Sequence, residues 1–224
     1  MISEHYRCVF IHIPKTAGTS IEKKLGHFQE LKRGVQDHRT IREIEPLGFD
    51  GELFLRKDNL RLLFRRFRAV LKNIANPKTV SIPRHLYHSY FKFTFVRNSW
   101  ARAFSWYHKV VNDAQFRRHY CVRSGCSFKD FLKIHLDQEG MKSQLYWILD
   151  RKGKNPLDFV GRFEQLETDF SYVCTKLGIR DNRLPILNTG DGLLYTDFYD
   201  DESIDIVADR YRDEIEYFDF RFGK

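Results

Sequence analysis

The sequence predicts an α/β fold in which a parallel β-sheet is covered by helices on both faces. Two observations predict it. Short apolar segments of strand length recur along the chain, and each is followed by a segment whose apolar residues repeat at helical spacing. Strands that alternate with helices form parallel sheets, and the ligands of such sheets bind at the carboxyl ends of the strands.

The first strand is predicted at residues 8–13, an apolar run of strand length. The loop of residues 14–20 follows at once. Ile21, Leu25 and Phe28 then recur at positions i, i+4 and i+7, which indicates the apolar stripe of a helix. This part of the chain therefore reads as a strand, a glycine-containing loop and a helix.

The same order recurs further along the chain. Residues 91–96 are rich in β-forming residues, and residues 97–99 separate them from a helix with Asn98 as a suitable N-cap. One face of this second helix carries the apolar residues Trp100, Phe104, Tyr107 and Val111. Two strand-loop-helix units thus lie in one chain.

The remaining elements complete the α/β pattern. Ser127 and Asp130 are typical of a capping box that opens a helix running to about His135. Residues 158–163 predict a strand, and the helix after it is closed by Gly178. The C-terminal residues predict a helical segment that ends near Phe220.

Length and composition exclude several classes of protein. A chain of 224 residues suits a single domain over residues 1–224, and 42% hydrophobic with 15% aromatic residues excludes an intrinsically disordered chain. No stretch approaches the roughly 18 apolar residues of a membrane span, and the N-terminus lacks the pattern of a secretory signal. We therefore expect a soluble, cytoplasmic protein.

Charge is distributed unevenly along the chain. The net charge is +8, yet residues 1–163 hold 31 of the 38 Lys and Arg and only 15 of the 30 Asp and Glu. Residues 56–76 read as a basic helical insertion whose charge is concentrated in residues 56–72. This imbalance predicts an anionic partner, and it leaves open whether the insertion docks a polyanion or a membrane surface or is only a solvated face.

The cysteines leave one local question open. Cys121 and Cys126 lie five residues apart beside His119, so either a metal pair or a disulfide is conceivable. A second cysteine pair with zinc spacing is missing from the sequence, which argues against zinc. No metal site is predicted.

The loop after the first strand has the chemistry of an anion cradle. Small residues let backbone N–H groups approach an anion, and the start of the helix adds its positive dipole end. One ammonium and three hydroxyls converge on this loop, from Lys15, Thr16, Thr19 and Ser20. The Walker pattern is absent because the lysine precedes the glycine, which argues against a nucleotide kinase or NTPase that uses ATP.

The second loop adds another anion-binding pair. If Asn98 caps the helix, Ser105 lies about two turns further on and on nearly the same face. Arg97 at the strand end and Ser105 can then hold one anion from two sides. Two such loops in one sheet favour an enzyme over a basic polyanion-binding module, which would explain the charge but not the loops.

These two motifs resemble those of the PAPS-dependent carbohydrate-type sulfotransferases, the heparan sulfate 2-O and related families. The motifs read FIHIPKTAGTS at residues 10–20 and FVRNSWARAFSWY at residues 95–107. The resemblance continues through residues 160–179 and 199–222, and it departs at Ser99, where the family has proline. It implies a P-loop-like sulfotransferase fold and, without the membrane anchor of Golgi members, a soluble bacterial or viral enzyme.

The resemblance also implies the roles of individual residues. The donor would be 3′-phosphoadenosine 5′-phosphosulfate (PAPS), the product 3′-phosphoadenosine 5′-phosphate (PAP), and no metal would be needed. Arg97 and Ser105 would hold the 3′-phosphate, and Lys15 would also stabilise the leaving group as a catalytic residue. The residues implied for the 5′-phosphosulfate are Lys15, Thr16, Ala17, Gly18, Thr19 and Ser20.

An acceptor hydroxyl needs a general base, for which His38 is the first candidate. It precedes a short predicted helix and resembles the histidine of the 2-O-sulfotransferases. Glu43, His85 and His88 are the reserve candidates, and His12 within the first strand is interpreted as structural. The acceptor is expected to be a carbohydrate or glycolipid hydroxyl, and nucleic acid is not expected as a partner. The basic residues 56–72 favour an acceptor that is itself anionic.

Overall fold

A computed structural model describes residues 1–30, 36–46, 64, 68, 82–185 and 193–224. In chain order the elements are β1 (Ile2–Ser3), β2 (Cys8–Ile11), α1 (Gly18–Lys24), α2 (His27–Glu30), α3 (Ile41–Ile44), α4 (Arg84–Ser89), β3 (Phe91–Val96), α5 (Ser99–Asn112), α6 (Ala114–His119), α7 (Phe128–His135), α8 (Gln144–Ile148), β4 (Phe159–Arg162), α9 (Leu166–Leu177), α10 (Asp201–Arg210) and α11 (Arg212–Phe218). Short 3-10 helices lie at Glu139–Met141, Phe163–Gln165 and Tyr195–Phe198.

The sheet has the strand order β1-β2-β3-β4. β2, β3 and β4 are mutually parallel, with Phe10 opposite Phe93 and Phe93 opposite Phe159. β1 adds an antiparallel edge of two residues that the sequence pattern did not predict. The predicted α/β fold is thus confirmed, and the carboxyl ends of the three parallel strands lie at one edge of the sheet.

Helices cover both faces of the sheet, and successive side chains of each strand pack alternately against the two layers. Phe10 of β2 and the phenylalanines of β3 pack with residues of α1 and α9 on one face. Val9 and Ile11 belong to a second cluster that contains residues of α5, α7 and α8. Since neighbouring strand residues point to opposite faces, one apolar run serves both cores.

The predicted helix ends are confirmed in detail. Oδ1 of Asn98 accepts from the backbone N–H groups of Trp100 and Ala101 and so caps α5. Oγ of Ser127 accepts from the backbone N–H of Asp130 at the start of α7. α9 ends at Gly178, whose φ of 70° is the left-handed conformation that glycine adopts readily.

Three predicted elements differ from the structure. The stripe of Ile21, Leu25 and Phe28 does not form one helix, because α1 ends at Lys24 and Gly26, with a φ of 75°, separates it from α2. The first strand ends at Ile11 rather than Ile13, because its pairing with β3 stops at Ile11 opposite Thr94. The C-terminal helical stripe is divided into α10 and α11 at Tyr211, whose buried hydroxyl donates to the carbonyl of Met141.

Some expectations lie outside what the structure tests. The basic insertion at residues 56–76 falls outside the described residues except for Phe64 and Arg68, which lie in helical conformation with exposed side chains. The single-domain organisation and the cytoplasmic location stay predictions. Among the described helices, none has the length and apolarity needed to cross a membrane.

Candidate active site

A large cavity opens at the carboxyl edge of the parallel sheet. Its volume is about 1300 Å³, and residues that follow β2, β3 and β4 line it. Of the residues predicted to bind or to react, those whose side chains or backbone line the cavity are Lys15, Ala17, Gly18, Thr19, Ser20, His38, Arg97 and Ser105. Folding therefore gathers these predicted site residues around one space.

Thr16 is the exception among the predicted site residues. Its side chain is buried, and its hydroxyl donates to the carbonyl of Ile13 at 2.9 Å. This bond closes the turn that leaves β2. The hydroxyl of Thr16 therefore stabilises the loop itself, whereas Thr19 and Ser20 line the cavity.

The loop between β2 and α1 is held in an unusual backbone conformation. Lys15 and Ala17 have φ angles of 72° and 65°, in the left-handed region that residues other than glycine rarely adopt. Arg102 of α5 is fully buried, and its Nε donates to the carbonyl of Pro14 at 3.2 Å. Such strain persists only where the surroundings enforce it, and alternating left-handed residues shape backbone concavities that bind anions.

Gly18 is required by a close approach to His12. A Cβ atom built on Gly18 would lie 1.9 Å from Cδ2 and 2.2 Å from Nε2 of the His12 ring. These distances are far below any van der Waals contact, so no other residue fits without moving the ring. The glycine of the loop is thus explained by packing against a histidine.

Cationic side chains dominate the electrostatics of the cavity. Burial, reinforced by the charges of Arg97 and Lys109, lowers the pKa of Lys15 to about 8. Burial likewise lowers the pKa of Arg97 to about 10, although Glu164 acts in the opposite direction. Nη1 of Arg97 lies 3.4 Å from the carbonyl oxygen of Lys15, so the two loops meet at these residues. An anion between them would relieve the repulsion.

The backbone of Arg97 is held by a buried glutamine. Oε1 of Gln144 accepts from the N–H of Arg97, and Nε2 of Gln144 donates to its carbonyl, both at 2.8 Å. Gln144 also donates to Glu214, which accepts from Ser99 as well. The guanidinium of Arg97 lies 4.0 Å from the ring centre of Phe163. The two hydrogen bonds to its backbone and the contact with Phe163 therefore fix the direction of Arg97.

His38 lies at the cavity with one nitrogen committed to the backbone. Nδ1 is 3.1 Å from the carbonyl oxygen of His12, which can only accept, so Nδ1 carries the proton of the neutral ring. Burial and the neighbouring His12 lower the pKa of His38 to about 4, against the opposing effects of that hydrogen bond, Glu22 and Asp37. The ring is neutral at pH 7, and Nε2 has the lone pair.

Gln36 contacts that lone pair. The side-chain amide of Gln36 bridges His38 and Thr19. Its Oε1 lies 3.0 Å from Nε2 of His38, and its Nε2 contacts the hydroxyl of Thr19. The oxygen and nitrogen of an amide exchange places by a half turn. Because Nε2 of a neutral His38 is an acceptor, it requires the orientation in which the NH₂ group of Gln36 donates to Nε2. In that orientation the amide oxygen of Gln36 accepts from the hydroxyl of Thr19. A proton donor from the cavity has to displace Gln36 from Nε2.

The motifs and the family comparison agree. A family model described as the sulfotransferase family matches residues 1–221. The chain belongs to the sulfotransferase family. The family supports an enzyme that transfers sulfate, and the heparan sulfate 2-O type indicated by the resemblance stays a prediction.

One curated protein is similar to this family member over part of its length. An uncharacterised protein of Archaeoglobus fulgidus is 28% identical over 108 residues, which cover 48% of this chain and 84% of the relative. No solved structure matches the chain.

The reserve bases of this sulfotransferase-family chain lie elsewhere. Oε2 of Glu43 accepts from the backbone N–H and the hydroxyl of Thr40 in a capping box at the start of α3. His85 and His88 are exposed on α4 and do not line the cavity. Of the candidate bases, His38 is the one that the fold brings to the cavity.

Two further expectations about this family member concern the cysteines and metals. Cys121 and Cys126 are free thiols, so the conceivable disulfide between them does not form. Within the described ranges, no group of three or more His, Cys, Asp or Glu side chains is arranged to hold a metal ion.

The side of the cavity formed by α5 and α6 was not predicted as part of the site. Trp106, Phe116 and Tyr120 form an aromatic cluster, with ring centres 5.4 to 6.0 Å apart. Lys109 lies over Phe116 and pairs with Asp113 at 2.9 Å. His119 also lines this side. The sequence pattern assigned no role to these three rings, and the fold places them beside the cavity.

Proposed function

We propose that this chain transfers the sulfuryl group of PAPS to a hydroxyl group of an acceptor, without a metal ion. The observation that carries the proposal is the convergence of Lys15 and Arg97, from two different strand ends, on one cavity in a member of the sulfotransferase family. PAPS presents negative charge at both its 3′- and its 5′-side, which matches two separate cations.

The residues of the cavity fit such a donor. The loop after β2 offers Lys15, the hydroxyls of Thr19 and Ser20, and a strained backbone to a 5′-phosphosulfate. Arg97 and Ser105 face the same space and would hold the 3′-phosphate. Nε of Arg97 is buried and has no hydrogen-bond partner within the described part of the chain, so it lacks an acceptor that a phosphate oxygen would supply.

PAPS supplies an activated sulfuryl group, and the side chains around it lower the barrier to transfer. Lys15 stabilises the charge that develops on the leaving oxygen, an interaction that strengthens in the transition state. A transferred sulfuryl group carries less negative charge than a phosphoryl group, so fixed cations and N–H donors suffice in place of magnesium. His38 accepts the proton of the acceptor hydroxyl at Nε2.

The acceptor is proposed to occupy the side of the cavity lined by α5 and α6. The cavity of about 1300 Å³ exceeds the roughly 300–1,000 Å³ of an ordinary small-molecule pocket, so it has room for two ligands. Aromatic rings provide apolar faces for sugar rings, and the ammonium group of Lys109 favours a negatively charged acceptor. A carbohydrate or glycolipid hydroxyl fits this lining.

Calorimetry tests the donor. We expect PAP to bind tightly in the presence of EDTA. A preference for Mg·ATP would instead indicate a nucleotide kinase or NTPase, and indifference to both nucleotides would indicate a polyanion-binding module. A screen of neutral and acidic oligosaccharides with radiolabelled PAPS then identifies the acceptor.

A substitution tests the base. In the His38→Ala protein PAP binding should persist while turnover falls roughly 10²-fold or more, because only proton transfer is removed. The matched control is His85→Ala, on exposed α4, which should leave both unchanged. Unchanged turnover in His38→Ala would assign the base to another group.

A further inference from the structure

A second histidine and a buried carboxylate lie behind the loop that follows β2. His12 and Glu22 are 2% and 0% exposed, and Nδ1 of His12 lies 3.1 Å from Oε1 of Glu22. The interactions with His12 and the backbone N–H of Asp37 outweigh burial and lower the pKa of Glu22, so its carboxylate is ionised. An ionised carboxylate can only accept, so Glu22 faces Nδ1 of His12 as an acceptor.

The opposite edge of the His12 ring lies against the loop that follows β2. Its Cδ2–Nε2 edge packs against Gly18, and both residues line the cavity. Nε2 of His12 makes no hydrogen bond to any residue that the structure describes, and Nδ1 has only the close contact with Glu22. A buried carboxylate is stabilised by a cation beside it, and an imidazolium at this position would present its second N–H to the loop that contains Lys15.

We propose that His12 binds the 5′-side of the donor, donating from Nε2 to an oxygen of the 5′-phosphosulfate, with Glu22 as the residue that positions the ring. The inference rests on the proposed function. It assigns a ligand-binding role to a histidine that the sequence pattern placed within a strand. His12 leaves the sheet because β2 ends at Ile11, and this frees its side chain to reach the loop.

His12 also links the donor loop to the proposed base. Its carbonyl accepts from Nδ1 of His38, and the two rings lie 4.2 Å apart between centroids. The charged and titratable groups around the ring are Glu22 of α1, His38 from the chain before α3, and Lys15 in the same cavity. One residue thus contacts the base through its backbone and reaches the donor through its side chain.

A comparison of the affinities for two nucleotides distinguishes a loss of 5′-phosphate binding from general damage to the site. PAP carries both phosphates, whereas adenosine 3′-monophosphate lacks the 5′-phosphate. In His12→Asn, which keeps a donor near Glu22 but loses the Nε2 edge, we expect PAP affinity by calorimetry to fall about 10- to 100-fold. Affinity for adenosine 3′-monophosphate should stay unchanged. His12→Gln restores a donor near the Nε2 position and should recover most of the PAP affinity.

Each other result has a definite meaning. Equal losses for both nucleotides, or PAP binding as tight as in the wild type, would overturn the role of His12. Should His12→Asn not fold by circular dichroism, Glu22→Gln leaves the imidazole in place and must still weaken PAP selectively. A wild-type protein that binds neither nucleotide would overturn the proposed function itself, and with it this inference.

Discussion

The low pKa of His38 makes the stability of the protein depend on pH in a defined window. The folded-state pKa of about 4 lies below the ordinary value of 6.5, because burial disfavours the imidazolium. Between these two values the unfolded chain binds a proton that the folded chain does not. Stability therefore rises with pH across this window, and it is lost as the pH falls from 6.5 towards 4.

The size of the effect follows from the two pKa values. Lowering the pH from 8 to 5 should reduce the unfolding free energy by about 2 kcal/mol through His38 alone. That is a sizeable part of the roughly 5–15 kcal/mol by which domains are stable. It corresponds to a decrease of about 4–8 °C in Tm for a chain of this length.

A comparison with the His38→Asn protein isolates this contribution. Asn keeps a donor for the carbonyl of His12 but does not titrate, so the difference between the two proteins measures the titration of His38. Urea unfolding at pH 8 and pH 5 should show that the wild type loses about 2 kcal/mol more than the variant. Parallel losses in the two proteins would refute the burial of a neutral His38.

Four more outcomes are expected from the loop that follows β2. Lys15→Ala should abolish most sulfuryl transfer while the protein stays folded. The control Lys133→Ala, on the surface of α7, should leave turnover unchanged. Retained turnover in Lys15→Ala would contradict the role of Lys15. PAP affinity should fall as the pH rises above about 8, because Lys15 loses its proton there, and a flat profile up to pH 9.5 would argue against it. Ala17→Gly should stabilise by about 0.5–1 kcal/mol in thermal melts, because relief of the left-handed φ exceeds the added unfolded-state entropy. Gly18→Ala should instead destabilise by about 3 kcal/mol, since its Cβ would collide with His12, and equal effects of the two substitutions would be inconsistent with the loop geometry.

The fold was predictable because its signals are local. The strand at residues 91–96, the cap at Asn98 and the stop at Gly178 each depend on a few neighbouring side chains. The break at Tyr211 was not predictable, because it depends on a contact with Met141, seventy residues away in the chain. The edge strand β1 is only two residues long and has no periodicity to detect.

The residues of the candidate site also fall into those visible from local sequence and those that depend on long-range contacts. The two loops, with Lys15 and Arg97, are visible in the sequence alone, since their chemistry lies in short contiguous motifs. The side chains that support them are known only from the folded chain: Gln144 contacts the backbone of Arg97, and Glu22 lies beside His12. These contacts join residues whose proximity depends on how helices pack on the sheet. A linear pattern encodes periodicity and capping, but the burial that sets pKa values and directs side chains into a cavity exists only once the chain is folded.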